Sequence, residues 1–280
     1  MSVTESRSPG FASVMAHFDL GPWAEARGRL ALTLAEEHGA HFIGVAAEQM
    51  MAPIYLEGVP NVAEEVVDEE RRRATGDLAA AKRAFEKIVG TRNDVEWRSA
   101  FAQPDQFLIE QARAADIVVV GRTATYDERD PNLGVSPGLV AMECGRPILI
   151  VPPEKDHLAA HKVVVAWKDT REARRAARDA LPILQRANEV IVMTASGSLR
   201  DESAEDVCAW LTRHGVKSHP SVHSGDLNSI ADELLDLAGD VGADLIVSGA
   251  YGHSRMREWF FGGATRDLLE TSQACLLMSH

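Results

Sequence analysis

The chain has 280 residues, which at about 150 residues per domain gives a soft prior of roughly two domains. Hydrophobic residues make up 45 % and charged residues 25 %, a balance that excludes a disordered, collagen-like or fibrous chain. Twenty-nine Lys and Arg stand against 42 Asp and Glu; the net charge of −13 repels polyanions, so no nucleic-acid partner is expected.

The longest apolar runs, Ile117 to Val120 and Val163 to Trp167, fall far short of the roughly 18 residues that cross a bilayer. No membrane partner is expected. The first residues carry no basic stretch followed by an apolar one, so no secretory signal is expected either. Cys144, Cys208 and Cys275 are odd in number and scattered, unlike a disulfide framework or a zinc ribbon. They read as small buried hydrophobes in a reduced, cytoplasmic protein.

In chain order, a first strand ends near Asp19 and a first helix contains Ala24-Glu-Ala-Arg27. The stretch from Met50 to Thr91 holds Pro53 and Pro60 and then a long charged helical pattern. Within it the Glu64–Arg73 run places opposite signs at i,i+3 and i,i+4, the mark of a solvated helix face. Ala115 to Gly121 and Pro147 to Val151 are strands, and Pro152-Pro153-Glu154-Lys155 is a linker. The boundary is therefore placed near residue 156, giving domains 1–156 and 157–280.

Beyond it, Lys162–Trp167 reads as a β-branched strand and Thr170–Leu184 as a helix, with Asp169 or Thr170 as its N-cap. Val190–Thr194 is a strand, Ser203 to His214 a helix, and Lys217–His223 a polar edge-like strand. Leu227–Ala238 is an amphipathic helix and Asp244–Gly249 a buried strand. Gly262–Thr271 is the last helix and Ala274–Met278 the last strand.

The chain also repeats itself. Ala115-Asp-Ile-Val-Val-Val-Gly121 maps onto Ala243-Asp-Leu-Ile-Val-Ser-Gly249, and the same offset carries Pro147–Val151 onto Cys275–Ser279. Ala24-Glu-Ala-Arg27 maps onto Arg171-Glu-Ala-Arg174 at a larger offset, so the first copy carries an insertion of roughly 19 residues. Short Val/Ile/Leu runs separated by helices indicate parallel sheets covered on both faces. The expected fold is two tandem Rossmann-like (flavodoxin-like) α/β sandwich domains, each with a five-stranded, mainly parallel sheet. The last strands, with apolar edges seeking cover, are expected to pair the two domains as an intramolecular pseudo-dimer; a homodimer of chains stays open.

Open α/β sheets bind ligands beyond the carboxyl ends of their strands, where strand order reverses. After the fourth strand of the second copy come Gly249, Gly252, Gly262 and Gly263, leading into a helix with Thr265 in its first turn. Glycines permit close backbone approach, and a helix N-terminus offers free N–H groups and a favourable dipole for an anion. These glycines could equally serve tight turns, with Thr265 as a cap. The His219, His223, His253 and His280 set has no tight ligand spacing, so a structural or exposed role is expected and no metal site. No Ser-His-Asp, HExxH or G-x-S-x-G arrangement is visible, and no general base can be named at a γ-phosphate.

The spacing Gly249-x-x-Gly252, nine residues, then Gly262 resembles the G-x2-G-x9-G-[S/T] signature of nucleotide-binding universal stress proteins. With the repeat covering essentially the whole chain, it looks like a tandem two-domain member of that family. The resemblance implies that the glycine loop holds ATP phosphates, that an aspartate ending strand one contacts the nucleotide, and that the loop after strand two contacts adenine. Gly263 stands at the Ser/Thr position of the signature, leaving a backbone N–H there and Thr265 nearby. Lys168, followed by Asp169, stands where the aspartate is expected, and Trp167 can stack on adenine or serve the core. In the first copy Asp19 is kept, but Ala124 replaces the second glycine, and Asp127, Glu128 and Asp130 bring negative charge that only Arg122 and Arg129 offset. That site reads as degenerate.

The resemblance thus implies a stress-response sensor or signalling module that binds an adenine nucleotide in its C-terminal domain, with no metal beyond nucleotide-associated Mg and no turnover. A nucleotide-free interaction scaffold with both sites decayed is the alternative, favoured by Lys168 and Gly263. A slow ATP-hydrolysing enzyme ranks last.

Overall fold

The computed structural model describes residues 10–50, 62–122, 130, 132–195, 202–223, 230–250, 268–269 and 271–280. Ten strands form one sheet. The first half supplies β1 (Ser13–His17), β2 (His41–Ala47), β3 (Val95–Ala100), β4 (Ile117–Gly121) and β5 (Ile148–Val151). The second supplies β6 (Lys162–Ala166), β7 (Glu189–Ala195), β8 (Ser218–His223), β9 (Leu245–Gly249) and β10 (Cys275–Ser279). The order is β3-β2-β1-β4-β5-β10-β9-β6-β7-β8, so each half lays down its strands in the same sequence from its outer edge to the centre. Within each half every pairing is parallel, as the expected fold class requires.

At the centre β5 meets β10 antiparallel, with Leu149 opposite Leu277. The strand ends therefore point opposite ways: the carboxyl ends of the first half lie at one end of the sheet, those of the second half at the other. Four hydrophobic strands in a row at the seam, Ile117–Val120, Ile148–Val151, Leu276–Met278 and Leu245–Val247, are almost wholly buried. Continuous rather than alternating hydrophobicity is what a sheet covered on both faces demands.

One face is covered by α1 (Ala24–His38), α2 (Val62–Val89), α5 (Arg171–Asp179), α6 (Leu181–Leu184) and α7 (Glu202–Arg213), which share a core with Val14, Val163, Leu149 and Leu277. The opposite face is covered by α3 (Pro104–Gln111), α4 (Pro137–Glu143) and α8 (Ile230–Val241), packed on Met15, Val118, Ile246 and Leu276. Under α2 an aromatic cluster forms, with Phe85 stacked on Phe42 and meeting Phe18 edge-on.

The repeated Ala-Asp pair has a structural reason. Asp116 Oδ2 accepts the backbone N–H groups of Ala12 and Ser13 at 2.7 and 3.0 Å, fixing the entry of β1. Asp244 Oδ2 does the same for Ala159 and Ala160 ahead of β6. Each aspartate ties its fourth strand to its first.

The helix expected over Thr170–Leu184 breaks at Ala180 into α5 and α6. Pro182 lies in the first turn of α6, and a proline has no N–H to continue the preceding ladder. Of the two N-cap candidates, Thr170 takes the role, its hydroxyl accepting Ala173 N–H at 3.2 Å. The charged helical pattern of the insertion is α2, 28 residues long. Arg73 is level with the end of β2, where it binds Glu48 at 2.6 Å, so residues 62–72 continue about 16 Å past that strand end.

Candidate functional site

Strand order reverses between β1 and β4 in the first half and between β6 and β9 in the second. These two switch points, at opposite ends of the sheet, are the places where ligands gather in such folds. The chain fills them differently.

In the first half, β1 ends in His17, followed by Phe18 and Asp19. Arg27, one turn into α1, is 5 % exposed and folds inward under the strand ends. Its Nε and Nη2 donate to the His17 carbonyl at 3.2 Å each, and Nη2 lies 3.0 Å from Asp19 Oδ2. The guanidinium sits so close to Gly121 that a Cβ there would overlap it. Gly121, the first glycine of the loop, thus has a reason internal to the fold: it makes room for Arg27. Burial alone would raise the Asp19 carboxyl, but Arg27 and His17 beside it hold it below its usual value.

His17 is buried and its Nε2–H donates to the Leu133 carbonyl at 2.8 Å, which leaves Nδ1 as a lone pair 3.8 Å from Asp19 Oδ2. That nitrogen has no hydrogen-bond partner among the described residues. Burial pushes the imidazole down to about 4, against the pull of Asp19 and with the help of Arg27. Asp130 accepts Leu20, Asn132 and Leu133 N–H groups, so its carboxylate is spent on a turn and on holding the end of β1. Among these groups lies a cavity of about 40 Å³, room for a water or two.

The second half has the same frame with different side chains. Phe18 N–H donates to β2 at Val45, and Trp167 N–H donates to β7 at Met193, so the two positions correspond. Lys168 therefore stands where Asp19 stands, as expected from sequence. Arg174 stands where Arg27 stands, but its side chain is 60 % exposed and turns to Asp169, with Nε 3.0 Å from Oδ1. Nothing among the described residues repeats the inward arginine. Arg171 is exposed and pairs with Glu172, which is buried; burial opposes, but that bond and the helix backbone hold its carboxyl below the usual value. Arg175 donates to the carbonyl of His280, whose Nδ1–H in turn reaches the Ala250 carbonyl at 3.0 Å. Lys168, Arg171 and Arg174 stand around this switch point, the two arginines paired with Glu172 and Asp169.

Trp167 is buried in the core beside the sheet, like Phe18, which it replaces. Unlike Phe18 it carries an indole N–H, and Nε1 is buried with no hydrogen-bond partner among the described residues. Gly249 lies against the start of α5: a Cβ there would stand 2.6 Å from Ala173 N and 2.8 Å from the Glu172 carbonyl carbon. Backbone cannot give way as a side chain can. Gly249→Ala is expected to cost about 1–3 kcal/mol through this overlap, measured by urea unfolding without any ligand; a neutral result would free Gly249 for a role in binding alone. Gly252, Gly262, Gly263 and Thr265 lie outside the described residues, as do Ala124, Asp127, Glu128, Arg129 and His253.

Sequence reasoning did not single out Arg27, His17 or Glu48. Glu48 is wholly buried at the end of β2, bonded to Arg73; burial raises its carboxyl against the pull of that arginine. The available signals were a charged residue among apolar ones at His17 and the Arg27/Arg174 match in the repeat. Of the cysteines, Cys208 and Cys275 are buried and Cys144 half-buried; burial raises all three thiols, Cys275 to about 12, away from nucleophilic use. His219 is exposed, 3.6 Å from Glu189.

No protein-family model matches the chain, and no curated protein matches it. Solved structures do. A universal stress protein from Archaeoglobus fulgidus DSM 4304 superposes with a TM-score of 0.68 at 13 % identity, over 95 % of this chain and 94 % of that one. A functionally unknown protein from Pseudomonas aeruginosa PAO1 gives 0.55 at 14 %, over 95 % and 92 %. At this identity the likeness is one of fold, and it spans the whole architecture. The chain shares the fold of that universal stress protein over nearly its whole length. Among its described residues no helix is long and apolar enough to cross a membrane.

Proposed function

We propose that the chain is a cytoplasmic stress-response protein that binds one adenine nucleotide, ATP or a relative, at the switch point of its second half and signals by occupancy without turning it over. The observation that carries this reading is the contrast between two equivalent arginines. Arg27 lies inside the first switch point and fills it, whereas Arg174 lies outside the second. Lys168 in place of an aspartate, with Arg171 and Arg174 beside it, suits a phosphorylated ligand on an otherwise acidic protein. The Trp167 N–H, without a partner among the described residues, supplies a buried donor at the same strand end. Support from the fold comes from the universal stress protein structures it resembles.

Native mass spectrometry of the freshly purified full chain tests this. One adenine nucleotide per chain is the expected result, lost on Lys168→Glu with Arg174→Glu. A chain that carries no nucleotide, and takes up none when ATP is added, would leave the interaction scaffold as the better reading.

A further inference from the structure

Among the described residues, six large apolar side chains are exposed, and four of them lie at the carboxyl end of the first half. Leu20 follows β1, Trp23 precedes α1, Phe101 follows β3, and Val66 sits on the part of α2 that runs past the strand ends. Apolar side chains scattered singly over a surface need no explanation, but their gathering at one end of a molecule does.

Trp23, 39 % exposed, and Leu20 line an open cleft of about 420 Å³ between the start of α1, Ala84 of α2 and the linker. Its charged lining is Asp19, Glu25, Glu154 and Asp156 against Arg29; Arg27 holds Asp19 and Lys87 holds Glu25 at 2.7 Å, which leaves Glu154 and Asp156 as its exposed carboxylates. An aromatic ring beside the exposed Glu154 and Asp156 suits a cationic guest, since an arginine can stack on the indole while its charge meets the acids. The same acids repel phosphate. This end of the molecule, with Arg27 folded under its strand ends, has the surface of a docking site.

The chain itself carries the complementary surface. Helix α5 buries Ala173, Ala176 and Ala177 against the sheet and turns Arg171, Arg174, Arg175 and Arg178 outward, a row at i, i+3, i+4 and i+7. That row begins at the carboxyl end of the second half, which the antiparallel seam places at the opposite end of the sheet. One molecule cannot bring the two surfaces together; two molecules can. We propose that the acidic, tryptophan-bearing end of one copy receives the arginine face of α5 from a second copy, head to tail. The contact joins two different surfaces, so each added copy offers a fresh acidic end, and association grows with concentration without closing at two. Arg171 and Arg174 also belong to the proposed phosphate site, so the association is measured on chain freed of nucleotide, where its failure and the failure of that reading are separate results.

Sedimentation velocity of the full chain over a concentration series provides the test. The weight-average sedimentation coefficient should rise steadily with concentration at low salt and fall to that of a monomer in about 1 M salt, where the Debye length is about 3 Å. Trp23→Ala should weaken association at least tenfold. Glu154→Lys with Asp156→Lys, and separately Arg171→Glu with Arg174→Glu, should each abolish it while circular dichroism stays that of the parent. Mixing the two double variants one to one should restore it, because each then offers the other an opposite charge. A monomer at every concentration, a dimer that stops at two copies, association that survives both reversals, or a mixture that stays monomeric would each overturn the proposal. Recruitment of some other basic partner to the Trp23 cleft, with the chain itself monomeric, would overturn it too.

Discussion

Replacing Arg27 with methionine is expected to destabilise the protein by about 3–5 kcal/mol, although methionine matches the length of the arginine stem. The loss is electrostatic. Asp19 is mostly buried beside Arg27, and removing one member of a buried pair leaves the other charge without compensation. Two hydrogen bonds to the His17 carbonyl go with it. Arg174→Met in the second half is the control: the same position in the repeat, but an exposed pair with Asp169, expected to change stability by less than about 1 kcal/mol. Arg27→Met combined with Asp19→Asn should recover part of the loss, since the orphaned charge is then gone. Urea unfolding of the three variants beside the parent decides. Equal small effects at Arg27 and Arg174 would mean that Arg27 does not hold the first switch point shut.

Acid should weaken the protein through the same cluster. His17 titrates near 4 in the folded chain against 6.5 when unfolded. Above pH 6.5 neither form holds the proton; between 6.5 and 4 only the unfolded form does, so stability falls as pH falls through that window. The difference of about 2.5 units corresponds to about 3 kcal/mol. Asp19 adds a second loss at lower pH, because its depressed carboxyl favours the folded form only while ionised. The groups facing His17 are Asp19, Arg27, Asp105 and the Leu133 carbonyl, and Asp19 and Arg27 pull in opposite directions. His38, half-buried and also lowered by burial, contributes a smaller loss of the same sign. His17→Gln keeps a donor for Leu133 and removes the titration. From pH 6.5 to about 4 its stability should fall by about 3 kcal/mol less than that of the parent, the His38, Glu48 and Glu172 contributions being common to both proteins. Parallel pH profiles of the two proteins would show that His17 is not buried as a neutral ring.

The sheet was readable in the sequence because its strands are continuous runs such as Ile117–Val120 and Val163–Val165, which only a sheet covered on both faces tolerates. The Ala-Asp pairs at Asp116 and Asp244 revealed the repeat, and the strand order agrees with it half for half. The break at Ala180 could have been read from Pro182 and was missed because the apolar spacing runs on through it. The site was less legible. A glycine after strand four looks the same in sequence whether it admits a phosphate, an arginine or a helix. Gly121 makes room for Arg27 and Gly249 for the backbone of α5, and neither neighbour is near in the chain. The repeat aligned Arg27 with Arg174, yet nothing local says that one points in and the other out. That difference follows from their partners, Asp19 at one strand end and Asp169 beside Lys168 at the other.

Titration of the intact chain with ATP by isothermal calorimetry tests the asymmetry of the two halves most directly. One site per chain is predicted, abolished by Gly262→Val or by Lys168→Glu with Arg174→Glu, and untouched by Ala124→Gly in the first half. Two sites per chain, or a single site indifferent to the second-half variants, would contradict the account.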